Sequence, residues 1–211
     1  MGARASAPPG SARRMRSRKG WTPGTAAALD VGYDGERFTF PMRTASGRLV
    51  GVTRYLPGGS PKALPYGRGH GRDLFPPPEL LADETILATG GRRVALRDRY
   101  ALHLLEGEPD AVTACSMSEP GYPFYGIAVP GANGWRSEWA PRFAGWTVRL
   151  LLDHDDAGRK LAERLRVDLE PHARDVRVLT WPEVLGHEPP PGFDLGDFAA
   201  TIASSPTEEV A

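Results

Sequence analysis

The chain has 211 residues, and its 26 basic and 26 acidic side chains leave no formal net charge. Its single cysteine, Cys115, excludes an internal disulfide framework, a four-cysteine zinc site and an iron–sulfur cluster. Since no apolar run approaches the ~18–20 residues of a membrane span, we expect a cytoplasmic protein with no membrane partner.

The charges are distributed unequally along the chain. Residues 1–100 carry 17 basic and 8 acidic side chains, whereas residues 101–211 carry 9 and 18. One interpretation is that the first half meets phosphate and the second half concentrates carboxylates. The other is compositional, because 23 of the 26 basic residues are arginine, as in proteins from GC-rich genomes. Charge alone leaves both interpretations open.

Residues 21–78 are expected to form a small β-rich subdomain after a disordered basic tail of residues 1–20. The tail contains six basic residues and no acidic one. Two predicted strands, Phe38–Phe40 and Leu49–Val52, are joined by a turn near Ala45–Gly47. The run Pro76–Pro78 cannot donate backbone hydrogen bonds, and it predicts a subdomain boundary.

Residues 79–200 alternate between strand and helix patterns. Helices are predicted from Pro109, which suits a first helical turn, and over Asp156–Glu170, where leucines spaced four residues apart share one face. Short apolar runs predict four strands, at Leu102–Leu105, Ile127–Val129, Val148–Leu152 and Val176–Leu179. The alternation predicts an α/β fold with a parallel sheet and flanking helices, followed by a C-terminal tail of residues 201–211.

Carboxylates follow two of these strands at their carboxyl ends. Glu106 and Asp110 follow the first strand, and Asp153, Asp155 and Asp156 follow the third. Two unit charges 4 Å apart repel by about 4 kcal/mol at an effective dielectric near 20, so such a cluster retains a proton or binds a cation. Oxygen ligands suit Mg²⁺ or Mn²⁺, and the pattern therefore predicts a metal site.

Each of these acids also has a purely structural interpretation. Asp155 or Asp156 could cap the N-terminus of the following helix, and Glu106 could stand at an ordinary strand-to-turn junction. A third acidic segment contains Asp194 and Asp197, which could cap a short terminal helix. No single one of these acids distinguishes a metal site from a purely structural role.

The order of five segments resembles the Toprim domain of bacterial, phage and plasmid-type DNA primases. The segments are LLEGEPDA, AVPGANGW, VRLLLDHDDAGRKLAERL, DVRVLTWP and DLGDF, and they cover about residues 100–200. The resemblance implies a Rossmann-like parallel sheet in which Glu106 is the catalytic general base or acid. It also implies a set of acids that bind Mg²⁺ or Mn²⁺, namely Glu106, Asp153 and Asp155 with Asp110, Asp194 and Asp197.

The preceding segments are similar to the small basic subdomain that precedes Toprim in primases. They read RFTFPMRTASGRLVGVTRY and SPKALPYGRGHGRDLFPP. The similarity implies that Lys62 contacts nucleotide or template and that Arg48, Arg54 and Arg72 contact phosphate. One departure from the family pattern is His70, which stands where a second lysine is common, and a neutral imidazole binds phosphate less well than an ammonium.

We therefore expect a primase-like nucleotidyltransferase that makes short RNA primers on single-stranded DNA from nucleoside triphosphates, with a replicative helicase as a further partner. The alternatives are a Toprim-type Mg²⁺-dependent nuclease and a non-catalytic nucleic-acid-binding replication module. No GxxxxGK[ST] motif and no zinc module occur in the sequence. We thus expect a catalytic core without accessories, either a stand-alone mobile-element protein or a piece of a longer chain.

Overall fold

The computed structural model describes residues 20–67, 70–82, 85–87, 93–119 and 123–204. The two predicted tails fall mostly on residues 1–19 and 205–211, which lie outside the described residues. In the described part of the chain, no helix combines the length and the apolar character that a bilayer crossing requires.

The first part of the chain forms an antiparallel sheet with strand order β1-β2-β3-β4. A short helix, α1 (Pro23–Ala28), precedes it. The predicted hairpin is confirmed, because β2 and β3 pair in antiparallel register and the turn between them contains Gly47 at a φ of 80°. The four strands are β1 (Gly32–Tyr33), β2 (Phe38–Arg43), β3 (Leu49–Tyr55) and β4 (Ala63–Pro65).

Short elements connect this sheet to the next. They are α2 (Glu79–Ala82), β5 (Thr85–Leu87), β6 (Arg93–Ala95) and a 3-10 turn, Leu96–Asp98. Among the residues that the structure describes, β5 and β6 pair with each other as a two-stranded sheet. Neither strand could be predicted from the sequence, because three residues are too few to show a period.

The second half forms a four-stranded sheet in which all neighbours are parallel, with strand order β10-β9-β7-β8. The predicted α/β fold is therefore confirmed. The elements are β7 (Ala101–Leu105), α3 (Glu108–Ser116), β8 (Tyr125–Ala128), a 3-10 helix (Ser137–Phe143), β9 (Thr147–Leu150), α4 (Asp156–Leu169), β10 (Asp175–Val178), α5 (Trp181–Leu185) and α6 (Leu195–Ser204).

One buried cluster consists mostly of residues of the parallel sheet and its helices. Helix α4 places Leu161, Leu165 and Leu169 against it, as its periodicity predicts. Two tryptophans of the loop region before β9, Trp135 and Trp139, are buried in the same cluster. Both side chains therefore belong to the core, so they are not exposed for stacking on nucleic-acid bases.

A second buried cluster is shared by the two sheets. It joins Trp21, Phe40 and Phe75 of the first part of the chain to Leu105 and Val112 of the second. The Trp21 indole N–H also donates to the carbonyl of Pro109 at 3.1 Å and to Thr113 Oγ1 at 3.1 Å. The antiparallel sheet is thus held against α3, beside the carboxyl end of β7. The predicted boundary near residue 78 stays a prediction.

The segment 70–75 runs from one sheet to the other. At its start, the Gly71 N–H donates to the Val50 carbonyl in β3 at 2.9 Å. At its end, Phe75 and Ala128 of β8 exchange two backbone hydrogen bonds of 3.0 and 2.6 Å. The segment therefore fixes the position of β3 relative to the parallel sheet.

Candidate active site

The predicted acids lie where the strand order reverses. Strand β7 is flanked by β8, which follows it in sequence, and by β9, which comes later. Open α/β sheets bind ligands at the carboxyl ends of strands beside such a reversal. Glu106 directly follows β7, and Asp153 lies three residues after the end of β9. Two predicted acids are thereby placed at one edge of the sheet.

A cavity of about 260 Å³ opens at this edge. Predicted acids and predicted basic residues line it together: Glu106, Asp110, Asp153 and Asp194 on the acidic side, with Lys62 and Arg72 on the basic side. The basic residues come from the segments around the antiparallel sheet, and the acids come from the parallel sheet. The shared buried cluster thus brings the two sets into one cavity.

The acidic side of the cavity disfavours the ionised form of Asp153. Burial, together with the charges of Asp110, Glu106, Asp194 and Asp155, raises the pKa of Asp153 to about 8. Burial and the charge of Asp155 also raise the pKa of Glu106. Without a cation, the cluster therefore holds at least one proton near neutral pH.

The loop after β8 holds Glu106 in place. The Gly131 N–H donates to the Glu106 carbonyl at 2.9 Å, and the Ala132 N–H donates to its carboxylate. The other carboxylate oxygen, Glu106 Oε2, is buried and has no hydrogen-bond partner among the described residues. A buried acceptor without a donor is unfavourable, so this oxygen is available to a ligand.

Asp155 is the N-cap of α4 and lies beside the cavity. Its Oδ1 accepts from the Gly158 N–H at 2.8 Å, so the capping interpretation is correct for this residue. The residues described as lining the cavity do not include it, although its charge acts on Asp153 and Glu106. A Cβ on Gly158 would lie 2.1 Å from the Asp153 carbonyl oxygen, so only glycine permits this approach of helix to strand end.

Asp194 and Asp197 cap α6 reciprocally. The Asp197 N–H donates to Asp194 Oδ1 at 2.9 Å, and the Asp194 N–H donates to Asp197 Oδ2 at 3.2 Å. Asp194 faces the cavity, whereas Asp197 is exposed and does not line it in the described structure. The two acids share a capping role, but only Asp194 is brought to the acidic cluster.

Whether the cavity suits a divalent cation depends on the ligand atoms that its side chains offer. No three Asp, Glu, His or Cys side chains in the described part of the chain stand close enough to hold a metal ion in their present arrangement. The chemistry of the cavity nevertheless suits Mg²⁺ or Mn²⁺, because carboxylate oxygens line it and Glu106 Oε2 is unpartnered among the described residues. The residues that would hold the ion are Glu106, Asp110, Asp153 and Asp194, with Asp155 adjacent.

Two predicted phosphate contacts lie elsewhere. Arg54 Nε donates to Asp34 Oδ2 at 2.5 Å, its Nη2 donates to Glu36 Oε2 at 3.2 Å, and its guanidinium lies over the Tyr66 ring. Arg48 is exposed at the end of the β2–β3 turn. Neither arginine is among the described residues that line the cavity, and their phosphate contacts stay predictions.

Sequence reasoning missed Glu108 as a component of the site. Its side chain lines the cavity, although the residue is only 6% exposed, and it accepts a hydrogen bond from Thr53 Oγ1 at 3.1 Å. Burial raises its pKa. The acid lies between Glu106 and Asp110 in the sequence, and that spacing was the available signal.

The comparisons with known proteins show the fold. No protein-family model matches the sequence, and no curated protein matches it significantly. The structure is similar to the Aquifex aeolicus primase (zinc-binding and RNA polymerase domains), with a TM-score of 0.60, 19% identity, and coverage of 90% of this chain and 52% of that chain. The chain thus spans about half the length of that relative.

Two further structures give the same result. The E. coli primase catalytic core has a TM-score of 0.58 and 20% identity, with coverage of 91% of this chain and 69% of that one. A DnaG primase catalytic domain bound to single-stranded DNA has a TM-score of 0.58 and 19% identity, with coverage of 90% and 69%. The predicted resemblance to Toprim primases is confirmed at the level of the fold: the chain has the architecture of a DnaG-type primase catalytic core.

Proposed function

We propose that this chain is a primase-type nucleotidyltransferase, which joins ribonucleotides into short RNA primers on single-stranded DNA. One observation carries the proposal: acids at the ends of β7 and β9 share a cavity with Lys62 and Arg72 from the segments around the antiparallel sheet. Phosphoryl transfer needs both kinds of group, since the triphosphate is anionic and the attacking hydroxyl must lose a proton. The fold of primase catalytic cores supports the same reaction.

The residues divide the chemistry between them. Glu106, whose burial raises its pKa, is the group that takes the proton of the attacking 3′-hydroxyl. Lys62 and Arg72 bind the triphosphate from the basic side of the cavity. Asp110, Asp153 and Asp194, with Glu106 itself and the adjacent Asp155, would hold Mg²⁺ or Mn²⁺. When bound, that ion neutralises charge on the transferring phosphate.

The partners follow from the same assignment. The template is single-stranded DNA, the ligand that one of the similar DnaG structures contains. The substrates are nucleoside triphosphates, and a replicative helicase is the further partner that the Toprim resemblance implies. We also propose that residues 21–78 and 79–200 act as the template-binding and catalytic parts of one enzyme.

The test replaces two acids that line the cavity and, as a control, one acid that does not. Glu106→Gln is expected to lower primer synthesis by about 100-fold or more, because it removes the proton acceptor. Asp153→Asn is expected to abolish Mg²⁺-dependent synthesis. The matched control is Asp156→Asn, since the Asp156 side chain is 84% exposed, pairs with Arg159 and does not line the described cavity. The measurement is incorporation of labelled ribonucleotide on single-stranded DNA.

Three outcomes would contradict the proposal. Full activity of Asp153→Asn would remove the site. Cleavage of labelled DNA at the same rate with and without nucleoside triphosphates would show that the cavity belongs to a nuclease. Binding of single-stranded DNA by the wild-type protein, without synthesis or cleavage in either metal, would make the chain a non-catalytic binding module.

A further inference from the structure

His70, which stands where primases commonly have a lysine, has its ring built into the edge of the antiparallel sheet. Its Nδ1 accepts the backbone N–H of Val52 in β3 at 3.0 Å. A hydrogen bond from an amide to Nδ1 requires that nitrogen to be unprotonated, so the ring is neutral and carries its proton on Nε2. Burial, reinforced by the charge of Arg72, lowers the pKa of His70 and favours this neutral form.

The imidazole occupies a place that a strand carbonyl normally fills. Along this edge of β3, the Val52 carbonyl accepts from the Tyr66 N–H at 2.8 Å, and the Val50 carbonyl accepts from the Gly71 N–H at 2.9 Å. The Val52 N–H lies between these two backbone hydrogen bonds, and the His70 ring satisfies it. An unsatisfied amide at this position would be unfavourable, so the side chain completes the ladder.

Gly51 leaves the space that the ring needs. A Cβ on Gly51 would lie 2.4 Å from the Gly71 carbonyl oxygen and 2.6 Å from the His70 ring. Gly51 and His70 therefore form one close contact between β3 and the segment 70–75. That contact places the imidazole beside the Val52 amide.

The segment held in this way carries Arg72 into the cavity. Its other end is fixed by the pairing of Phe75 with Ala128 of β8. Between the two anchors, Arg72 lines the cavity, and its Nη1 donates to the Pro130 carbonyl at 3.4 Å. His70 is thus two residues away in sequence from Arg72, which with Lys62 forms the basic side of the cavity.

We propose that His70 is a positioning residue, whose neutral ring replaces a strand carbonyl and thereby holds Arg72 at the cavity. The part that concerns phosphate rests on the proposed function, whereas the anchoring of the segment does not. The competing role is a direct phosphate contact, in which histidine substitutes weakly for lysine. The two roles make opposite predictions, because one depends on an acceptor and the other on a positive charge.

Three substitutions separate these roles. His70→Asn keeps an acceptor close to the position of Nδ1 without charge, His70→Lys supplies charge without an acceptor, and His70→Leu supplies neither. Positioning predicts that Asn keeps the KM for nucleoside triphosphate within about threefold. It also predicts that Lys and Leu both raise this KM by about tenfold, while kcat changes little. A direct contact predicts that Lys lowers the KM and that Asn and Leu behave alike.

A second measurement does not depend on catalysis. Amide hydrogen exchange at Val52 is expected to be equally slow in the wild type and in His70→Asn, and at least about tenfold faster in His70→Leu. His172→Asn, an exposed histidine elsewhere, is the control. Unchanged exchange in His70→Leu would overturn the proposal, as would a lowered KM in His70→Lys. If His70→Lys does not fold, the comparison of Asn with Leu decides. If the wild-type protein makes no primers, exchange alone decides.

Discussion

His103 is a half-buried histidine that is not among the described residues lining the cavity. It lies in β7 between two fully buried leucines, and its ring meets the edge of Phe124 with 4.1 Å between the ring centroids. Burial, together with the charge of Arg149, lowers the pKa of His103 to about 4. The folded protein therefore keeps this ring neutral at pH values where the unfolded chain, with a histidine pKa near 6.5, becomes protonated.

The consequence is a loss of stability on acidification. Above pH 6.5, His103 is neutral in both states and contributes no pH dependence. Between pH 6.5 and pH 4 only the unfolded chain gains the proton, so the free energy of unfolding falls as the pH falls. From pH 7 to pH 5 the expected loss from this residue is about 2 kcal/mol.

Urea denaturation at pH 7 and pH 5 measures this contribution. His103→Gln is expected to destabilise the protein at pH 7 but to lose less stability than the wild type on going to pH 5. His172→Gln replaces an exposed histidine and is expected to keep the wild-type pH dependence. An identical pH dependence in the wild type and His103→Gln would show that the ring titrates normally in the folded protein.

At the scale of elements, the contact between α4 and the end of β9 positions Asp153. Gly158 is in the first turn of α4, and a Cβ there would lie 2.1 Å from the Asp153 carbonyl oxygen. Backbone atoms cannot rotate out of the way, so a substitution must shift either the helix or the segment that carries Asp153. Helix packing and the site are therefore linked at one residue.

Gly158→Ala is expected to destabilise the protein by about 1–3 kcal/mol and to lower primer synthesis, although alanine is the better helix former. Gly24→Ala in α1 is the matched control, since a Cβ on Gly24 meets nothing within 4 Å. That variant is expected to be neutral or up to about 1 kcal/mol more stable. The measurements are thermal unfolding and the primer assay, and equal behaviour of the two variants would contradict the close contact.

The elements that could be predicted from the sequence are those with a period or a long apolar run. The leucines of α4 repeat every four residues, and β7 and β9 bury alternate side chains in the core of the parallel sheet. The acids that follow these strands could then be predicted to lie close together, because the carboxyl ends of parallel strands meet at one edge of the sheet. Strand β5 has three residues, and nothing in so short a segment distinguishes it from a loop.

The basic side of the cavity could be predicted only in part, because ion pairing depends on tertiary contacts. Arg54 and Arg72 both belong to the basic segment of the sequence, yet Arg54 pairs with Asp34 and Glu36 while Arg72 lines the cavity. The role of Asp155 as N-cap was foreseen as an alternative, but the capping bond to Gly158 is visible only in the structure. The Glu108 side chain accepts a hydrogen bond from Thr53, which is 55 residues away in sequence, so its position at the cavity could not be predicted from local pattern.

At the scale of the whole molecule, part of the positive charge of the first half is paired locally and does not face the cavity. Arg37, Arg43 and Arg54 of the first half each pair with a nearby acid of the same half. The residues that bring positive charge to the cavity are Lys62 and Arg72. The functional interpretation of the charge division therefore applies to these two residues more than to the half as a whole.

The buried cluster shared by the two sheets predicts that they unfold together. Trp21 is 2% exposed, contacts Phe38 and Phe40 edge-on and donates to Pro109, so Trp21→Ala removes contacts to both sheets. The expected loss is about 3–5 kcal/mol. Leu49→Ala in β3, where the side chain is 50% exposed, is the control and is expected to change stability by less than about 0.5 kcal/mol.

Hydrogen exchange of the strand amides tests this coupling directly. If the shared cluster makes the chain one cooperative unit, Trp21→Ala accelerates exchange in β9 as much as in β2. This is expected although the buried cluster of Trp21 reaches only Leu151, the residue that directly follows β9. Acceleration confined to β2 and β3 would show that the antiparallel sheet opens by itself. The antiparallel sheet would then be a separate unit, and Lys62 and Arg72 would stay close to the acids only while that unit is closed.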